Sequence, residues 1–363
     1  MTPSRDPRPL DPPSGTITWI ALIFSITVGS PLSVAGALQA PDFTRADTLR
    51  GSEGPARAWW DVTYYDLEAS IDPGARSIAG RNGMTVRIVS APPASREFQL
   101  DLQAPLSLDS VSLDGVRMAL RNEGNAWFAK LPSDPGFEVP APGSVRTVTA
   151  WYHGFPVVAA RPPWDGGFIW AEDGAGRPWV ATANQGLGAS VWWPNKDFQG
   201  EEPDSQRIAL TVPDPMVEVS NGRLRSVRAN GDGTTTYEWF VGSPINNYGV
   251  AVNAGSFAHW QETYDGLEGP LTLDFWPLAE NEAAARDQWP DETRSMLRCF
   301  EDWFGPYPWY EDGFKMIESP HLGMEHHRLP ISYHSVMAWW YGHLDLREGL
   351  GLLARTRTLD GKQ

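Results

Sequence analysis

From Trp59 onward the chain alternates. Residues 60–71, Trp-Asp-Val-Thr-Tyr-Tyr-Asp-Leu-Glu-Ala-Ser-Ile, interleave apolar and polar positions, the period of a half-buried strand. Asp72-Pro73-Gly74 then closes the run as a turn. The same texture returns at 84–89, 97–102, 108–113 and 145–152, with Asp114-Gly115 and Asn125 as turn residues between runs. Further strands are predicted at 207–212, 237–241, 248–252 and 271–276. Asn230-Gly231-Asp232-Gly233 marks a hairpin between two of these runs.

The period changes at 281–304, where Met296, Leu297, Phe300, Trp303 and Phe304 fall at helical spacing. Gly305-Pro306-Tyr307-Pro308 stops that helix, and 314–318 returns to strand. The prediction is a mainly β protein: an N-terminal β-sandwich-like domain, then the start of an α+β domain. The organisation read from these patterns is a leader at 1–40, a polar linker at 41–58, a β domain at 59–257 and an α+β region at 258–363. One long helix and a few strands would leave apolar surface uncovered in that last region, so the chain reads as cut short.

Composition narrows the function classes. The 363 residues are 41% hydrophobic and 20% charged, enough for a sizeable core. A net charge of −16 argues against a nucleic-acid partner, whose phosphates it would repel. It is compatible with a cationic ligand such as a free α-amine. Eighteen tryptophans favour aromatic packing in sheets, or a sugar- or peptide-binding surface. Trp192 and Trp193 read as core rather than platform, and Lys196, Asp197, Glu201 and Glu202 as charges on a solvated loop. Cys299 is the only cysteine, which rules out an internal disulfide and a thiolate cluster, and it reads as a small buried thiol.

The N-terminus has the features of an export signal. Arg5 and Arg8 precede an apolar run at 17–28, and small residues follow at Ala35-Gly36-Ala37 and Ala40. The run is short for a bilayer span of roughly 20 residues. A cleaved signal therefore leads over an uncleaved anchor or an unstructured leader, and the mature protein is expected to be secreted or periplasmic. No other segment is apolar enough to span a membrane.

Four stretches together resemble the aminopeptidase N family of gluzincin zinc metallopeptidases. They are Trp192-Trp193-Pro194-Asn195-Lys196-Asp197 with Pro203-Asp204-Ser205; Val219-Ser220-Asn221-Gly222; Phe304-Gly305-Pro306-Tyr307-Pro308; and Gly323-Met324-Glu325-His326, a variant of the exopeptidase motif G-x-M-E-N. Their order along residues 59–326 is that of the family's N-terminal portion. The resemblance implies that the α+β region is the start of a thermolysin-like catalytic domain. It also implies a peptide substrate with a free N-terminus, whose α-amine Glu325 would hold. A carboxylate facing an ammonium makes a charge-assisted pair and restricts cutting to the chain end. The backbone at Gly323 and Met324 would lie against the substrate. Gln185, in Asn184-Gln185-Gly186-Leu187-Gly188, falls where the family brings a glutamine from the β domain toward the same amine. Without the family, Glu325 would read as a solvated loop carboxylate and Gln185 as a sheet-edge hydrogen bonder.

The complete family enzyme uses zinc, held by H-E-x-x-H and a later glutamate, with the motif glutamate as general base. None of the seven histidines begins such a motif. His326 and His327 are adjacent, so on a regular element they point apart, and His334 and His343 are not followed by Glu. The expectation is that this chain carries the substrate side of an aminopeptidase and binds no zinc itself. The rival readings are a non-catalytic peptide-binding relative, and a β-sandwich module for adhesion or sugar binding.

Overall fold

The computed structural model describes residues 44–321, together with the backbone of two short strands at Glu325–His326 and Leu329–Tyr333. A short helix, α1 (Arg45–Gly51), opens the described chain. It falls inside the stretch read as linker. Thr44 and Asp47 form a capping box that satisfies the first-turn N–H groups. Leu49 anchors the helix in a small cluster with Ala56, Ala126 and Phe128.

Eight strands follow: β1 (Trp60–Asp72), β2 (Ser77–Ile88), β3 (Glu97–Asp101), β4 (Ser107–Leu113), β5 (Val116–Arg117), β6 (Ala119–Glu123), β7 (Ala126–Lys130) and β8 (Val145–Gly154). Then come β9 (Gly167–Glu172), β10 (Pro178–Ala183), β11 (Ser205–Pro213), β12 (Val217–Val219), β13 (Arg223–Ala229), β14 (Thr234–Val241) and β15 (Asn253–Gly255). The remainder are β16 (Trp260–Gly266), β17 (Gly269–Trp276), helix α2 (Glu282–Phe304), β18 (Phe314–Ser319), β19 (Glu325–His326) and β20 (Leu329–Tyr333).

Four sheets result. The largest has the order β13-β14-β11-β1-β2-β8-β4-β5, with β1 and β11 its parallel pair. Its hairpins sit where the turn residues place them. Asp114 and Gly115 both take positive φ between Leu113 and Val116, as a two-residue hairpin requires. Asn230 and Thr234 close the β13–β14 hairpin. Smaller sheets run β3-β7-β6 and β12-β15-β10-β9. The fifteen strands before Trp260 are thus layered β structure, as the alternation predicts.

The core lies between the layers, and much of it is indole. Trp59, Trp60, Trp192, Trp193 and Trp239 are fully buried. Trp59 packs on Phe98 with ring centroids 4.2 Å apart, and Tyr65 meets Trp193 edge-on at 5.0 Å. Several indole N–H groups find buried acceptors: Trp60 donates to the Ala56 carbonyl at 2.8 Å, and Trp239 to Glu218 Oε2 at 2.8 Å. The tryptophans at 192 and 193 are core, as expected.

Further expectations fail. Lys196 and Glu201 are buried, not solvated. They pair at 2.7 Å, and long-range partners complete them: Lys196 Nζ donates to the Trp60 carbonyl at 2.8 Å, while Glu201 accepts the Val62 N–H at 2.8 Å. Only Glu202 of that group is fully exposed, with Asp197 half-buried. Residues 248–252 are not a ladder strand. Asn247–Gly249 form a 3₁₀ turn, and the following N–H groups are taken by side chains, Ala251 by Asn221 Oδ1 and Val252 by Thr182 Oγ1.

The last sheet has the order β16-β17-β18-β20-β19. β17 and β18 are parallel and joined through α2, a β-α-β crossover. Ala285, Trp289 and Leu297 of α2 pack on Leu271, Leu273, Phe275, Phe314 and Met316. At the end of α2, Phe300, Trp303 and Phe304 are exposed. Cys299 is half-buried rather than buried.

Candidate functional site

The loop after β10 carries Gln185, and it is held from several directions. Asn184 is fully buried and donates from Nδ2 to the Val250 carbonyl at 2.8 Å. Gly188 N–H closes the loop on the Asn184 carbonyl at 2.7 Å. Gln103 Nε2 donates to the Leu187 carbonyl at 2.7 Å, and Arg50 Nη2 of α1 to the Gly186 carbonyl at 3.0 Å. Gly188 sits at φ 86°, where a Cβ would lie 2.3 Å from Asp197 Oδ2, so this position needs glycine twice over. Gln185 itself is exposed.

Gln185 borders a cleft of about 470 Å³. Asp47 and Arg50 of α1 line one side, Gln185 and Asp197 another, with Asn246 and Tyr248 also in the wall. Ser190 fixes Asp197, donating to Oδ2 from its N–H at 3.1 Å and from Oγ at 2.5 Å.

A buried ion pair ties the two walls together. Arg57, wholly inaccessible, donates from Nη1 to the Arg50 and Ser52 carbonyls at 3.1 and 2.9 Å, and from Nη2 to Asp101. Asp101 Oδ2 also accepts the Asp197 N–H at 3.0 Å, and Oδ1 accepts Gln99 Nε2 at 3.1 Å. Burial is the dominant influence on Asp101 and pushes its carboxyl up to about 6; the Arg57 guanidinium opposes this and the neighbouring Asp197 charge adds to it. The chain from α1 through Arg57 and Asp101 to Asp197 is continuous. Arg57 and Asp101 do not stand out in the sequence, and Asp197 does so only as a motif residue read as a loop charge; the Thr44-x-x-Asp47 capping box is a local signal for α1.

The cleft offers carboxylates and primary amides, with Gln185 exposed at its border. It suits a small, polar, hydrogen-bonding group, with cations favoured over anions near Asp47 and Asp197.

Glu325 lies on β19, paired antiparallel with β20 through Pro330. Among the described residues β19 is the outermost strand of its sheet. Gly323 and Met324, and the side chain of Glu325, lie outside the described residues. Gln185 and Glu325 therefore stand on different sheets, one in a clamped loop and one on an edge strand.

The described histidines do not fit a zinc site. His153 Nδ1 pairs with Asp109 at 2.7 Å on the surface. His259 Nε2 pairs with Asp274 at 2.9 Å, its ring stacked on Trp276 at 3.8 Å. His321 is buried. Among the described residues no group of three or more His, Cys, Asp and Glu side chains could hold a metal ion. His326, His327, His334 and His343 carry side chains outside the described residues. No described helix is long and apolar enough to cross a membrane.

No family model and no curated protein matches the sequence. Solved structures do match. The M1 zinc metallopeptidase of Deinococcus radiodurans aligns with a TM-score of 0.64 at 19% identity, over 78% of this chain and 61% of that one. A variant of the same Deinococcus enzyme, solved with a Tyr-Ser-Ala substrate, aligns with a TM-score of 0.61 at 20% identity, over 76% and 60%. Native leukotriene A4 hydrolase of Saccharomyces cerevisiae aligns with a TM-score of 0.59 at 14% identity, over 80% and 43%. The chain spans about three-fifths of the length of the Deinococcus enzyme and less of the yeast one. Over 76–80% of its length the chain has the fold of part of an M1 zinc metallopeptidase.

Proposed function

We propose that this chain is the substrate-recognition portion of a zinc aminopeptidase and that it holds the free N-terminus of a peptide. The observation that carries the reading is the Gln185 loop. Its carbonyls are clamped by Arg50, Gln103 and Gly188, so that an exposed glutamine faces a polar cleft without the usual freedom of a surface loop. The fold likeness to zinc metallopeptidases supports the same reading, and one of those structures holds a tripeptide. Glu325 supplies the anion for the ammonium, and among the described residues its strand is the outermost of the sheet, where an extended peptide could add. The basic-then-apolar leader supports action outside the cytoplasm.

The sequence contains no H-E-x-x-H. Hydrolysis is therefore not assigned to these 363 residues, and release of the terminal residue belongs to an enzyme that supplies that motif. The test is substitution. Gln185→Ala removes one acceptor to a charged donor and should weaken binding of a free-amine tripeptide about tenfold, with Glu325→Ala weakening it more. Unchanged affinity in both variants would remove the reading. Zinc-dependent cleavage of an aminoacyl substrate above the Glu325→Ala background would show that the chain is itself catalytic.

A further inference from the structure

The proposed reading places Gln185 in the ligand site, and α1 is attached to its loop. We infer that the segment 44–52 is a built part of that site, with Arg50 as a positioning residue for Gln185. This rests on the proposed peptide-amine reading for its ligand, and on geometry alone for its mechanism.

Three observations carry it. First, Arg50 Nη2 donates to the Gly186 carbonyl at 3.0 Å across 136 residues of sequence, and Gly186 adjoins Gln185. Of the side chains that clamp this loop, Arg50 is the exposed one; Asn184 and Gln103 are buried. Second, α1 is docked at several points. Leu49 is buried and its carbonyl accepts Gln99 Nε2 at 2.9 Å, Arg45 pairs with Glu123 at 2.8 Å, and Arg57 holds the Arg50 and Ser52 carbonyls. Third, Asp47 and Arg50 line the cleft that Gln185 borders, so α1 both shapes the space and fixes the loop.

An exposed hydrogen bond of this kind contributes little to global stability. Its effect is local. It limits where the Gly186 peptide plane can turn, and so how the backbone that carries Gln185 is held at the cleft. Without it, the loop keeps its buried anchors at Asn184 and Leu187 but loses the exposed one on the C-terminal side of Gln185.

The experiment uses the full chain with Arg50→Ala and Arg50→Lys, and Arg87→Ala as a surface control that pairs only with Asp61. The probes are the tripeptide Ala-Ala-Ala and its N-acetylated form, read by calorimetry, with amide exchange at Leu187 and Gly188 read by NMR. Arg50→Ala should weaken the free-amine peptide about fivefold and speed exchange of the Gly188 amide about tenfold, with an unaltered melting temperature. Lysine at 50 can still donate one bond and should recover part of both. Wild-type affinity and wild-type exchange in Arg50→Ala would overturn the inference. If the wild-type chain binds no peptide, the amine reading fails, and the exchange measurement alone decides for or against Arg50: faster exchange supports the positioning role, unchanged exchange refutes it.

Discussion

Asp101 sits where two large effects oppose each other, so its substitution is informative. It is buried and bonded to Arg57, which favours the carboxylate, yet burial prevails and pushes the carboxyl up to about 6 from an ordinary value of 3.8. The folded state then holds a proton more tightly than the unfolded state. Stability from this group is therefore greatest at low pH and declines as pH rises from about 4 through 6. Integrating the two titrations gives a gain of about 2 kcal/mol on going from pH 7.5 to pH 4.5. Asp101→Asn cannot titrate and is a neutral isostere of the protonated acid, so its stability should lack this pH dependence. The assay is urea unfolding of both proteins at the two pH values, because most other titrations cancel in the difference. The expected result is that wild type gains about 2 kcal/mol relative to Asp101→Asn on going from pH 7.5 to pH 4.5. A loss of wild-type stability relative to the variant on acidification would mean that Arg57 outweighs burial and would refute the reasoning.

Other outcomes follow from the same contacts. Gly188→Ala forces a side chain into positive φ and onto Asp197 Oδ2, so it should cost about 2 kcal/mol in chemical denaturation and weaken peptide binding as well. Lys196→Ala leaves Glu201 buried and unpaired and should lower stability by about 3–5 kcal/mol, whereas Lys196→Met with Glu201→Leu should be far milder. Glu301→Ala frees the Tyr264 hydroxyl, bonded at 2.6 Å, and the Leu267 N–H, bonded at 3.0 Å, for a loss of about 2 kcal/mol read by thermal melting.

The fold was legible where pattern and burial coincide. β1, β2, β8, β11 and β14 each present one face to the core, so their sequences alternate, and the Asp114-Gly115 and Asn230–Gly233 turns fix the β4–β5 and β13–β14 hairpins. β9 and β10 were not legible. Residues 179–183 of β10 are buried throughout and alternate with nothing, a run that periodicity cannot tell from any other apolar stretch. The Lys196–Glu201 pair was misread because its compensation comes from Trp60 and Val62, more than 130 residues away in sequence. The site divides in the same way. Gln185 is a candidate through the family resemblance alone. Arg50, Arg57 and Asp101 could not be named, because their roles arise only when α1 docks against β3 and the Gln185 loop.

The central claim is that this chain recognises a free peptide amine. Calorimetric titration of the full chain with a tripeptide and its N-acetylated twin tests it directly, since the pair differs only in the group that Gln185 and Glu325 are proposed to hold. The account predicts saturable binding of the free-amine peptide and loss of at least tenfold in affinity on acetylation. Equal affinity for the two, or no binding of either, would contradict it.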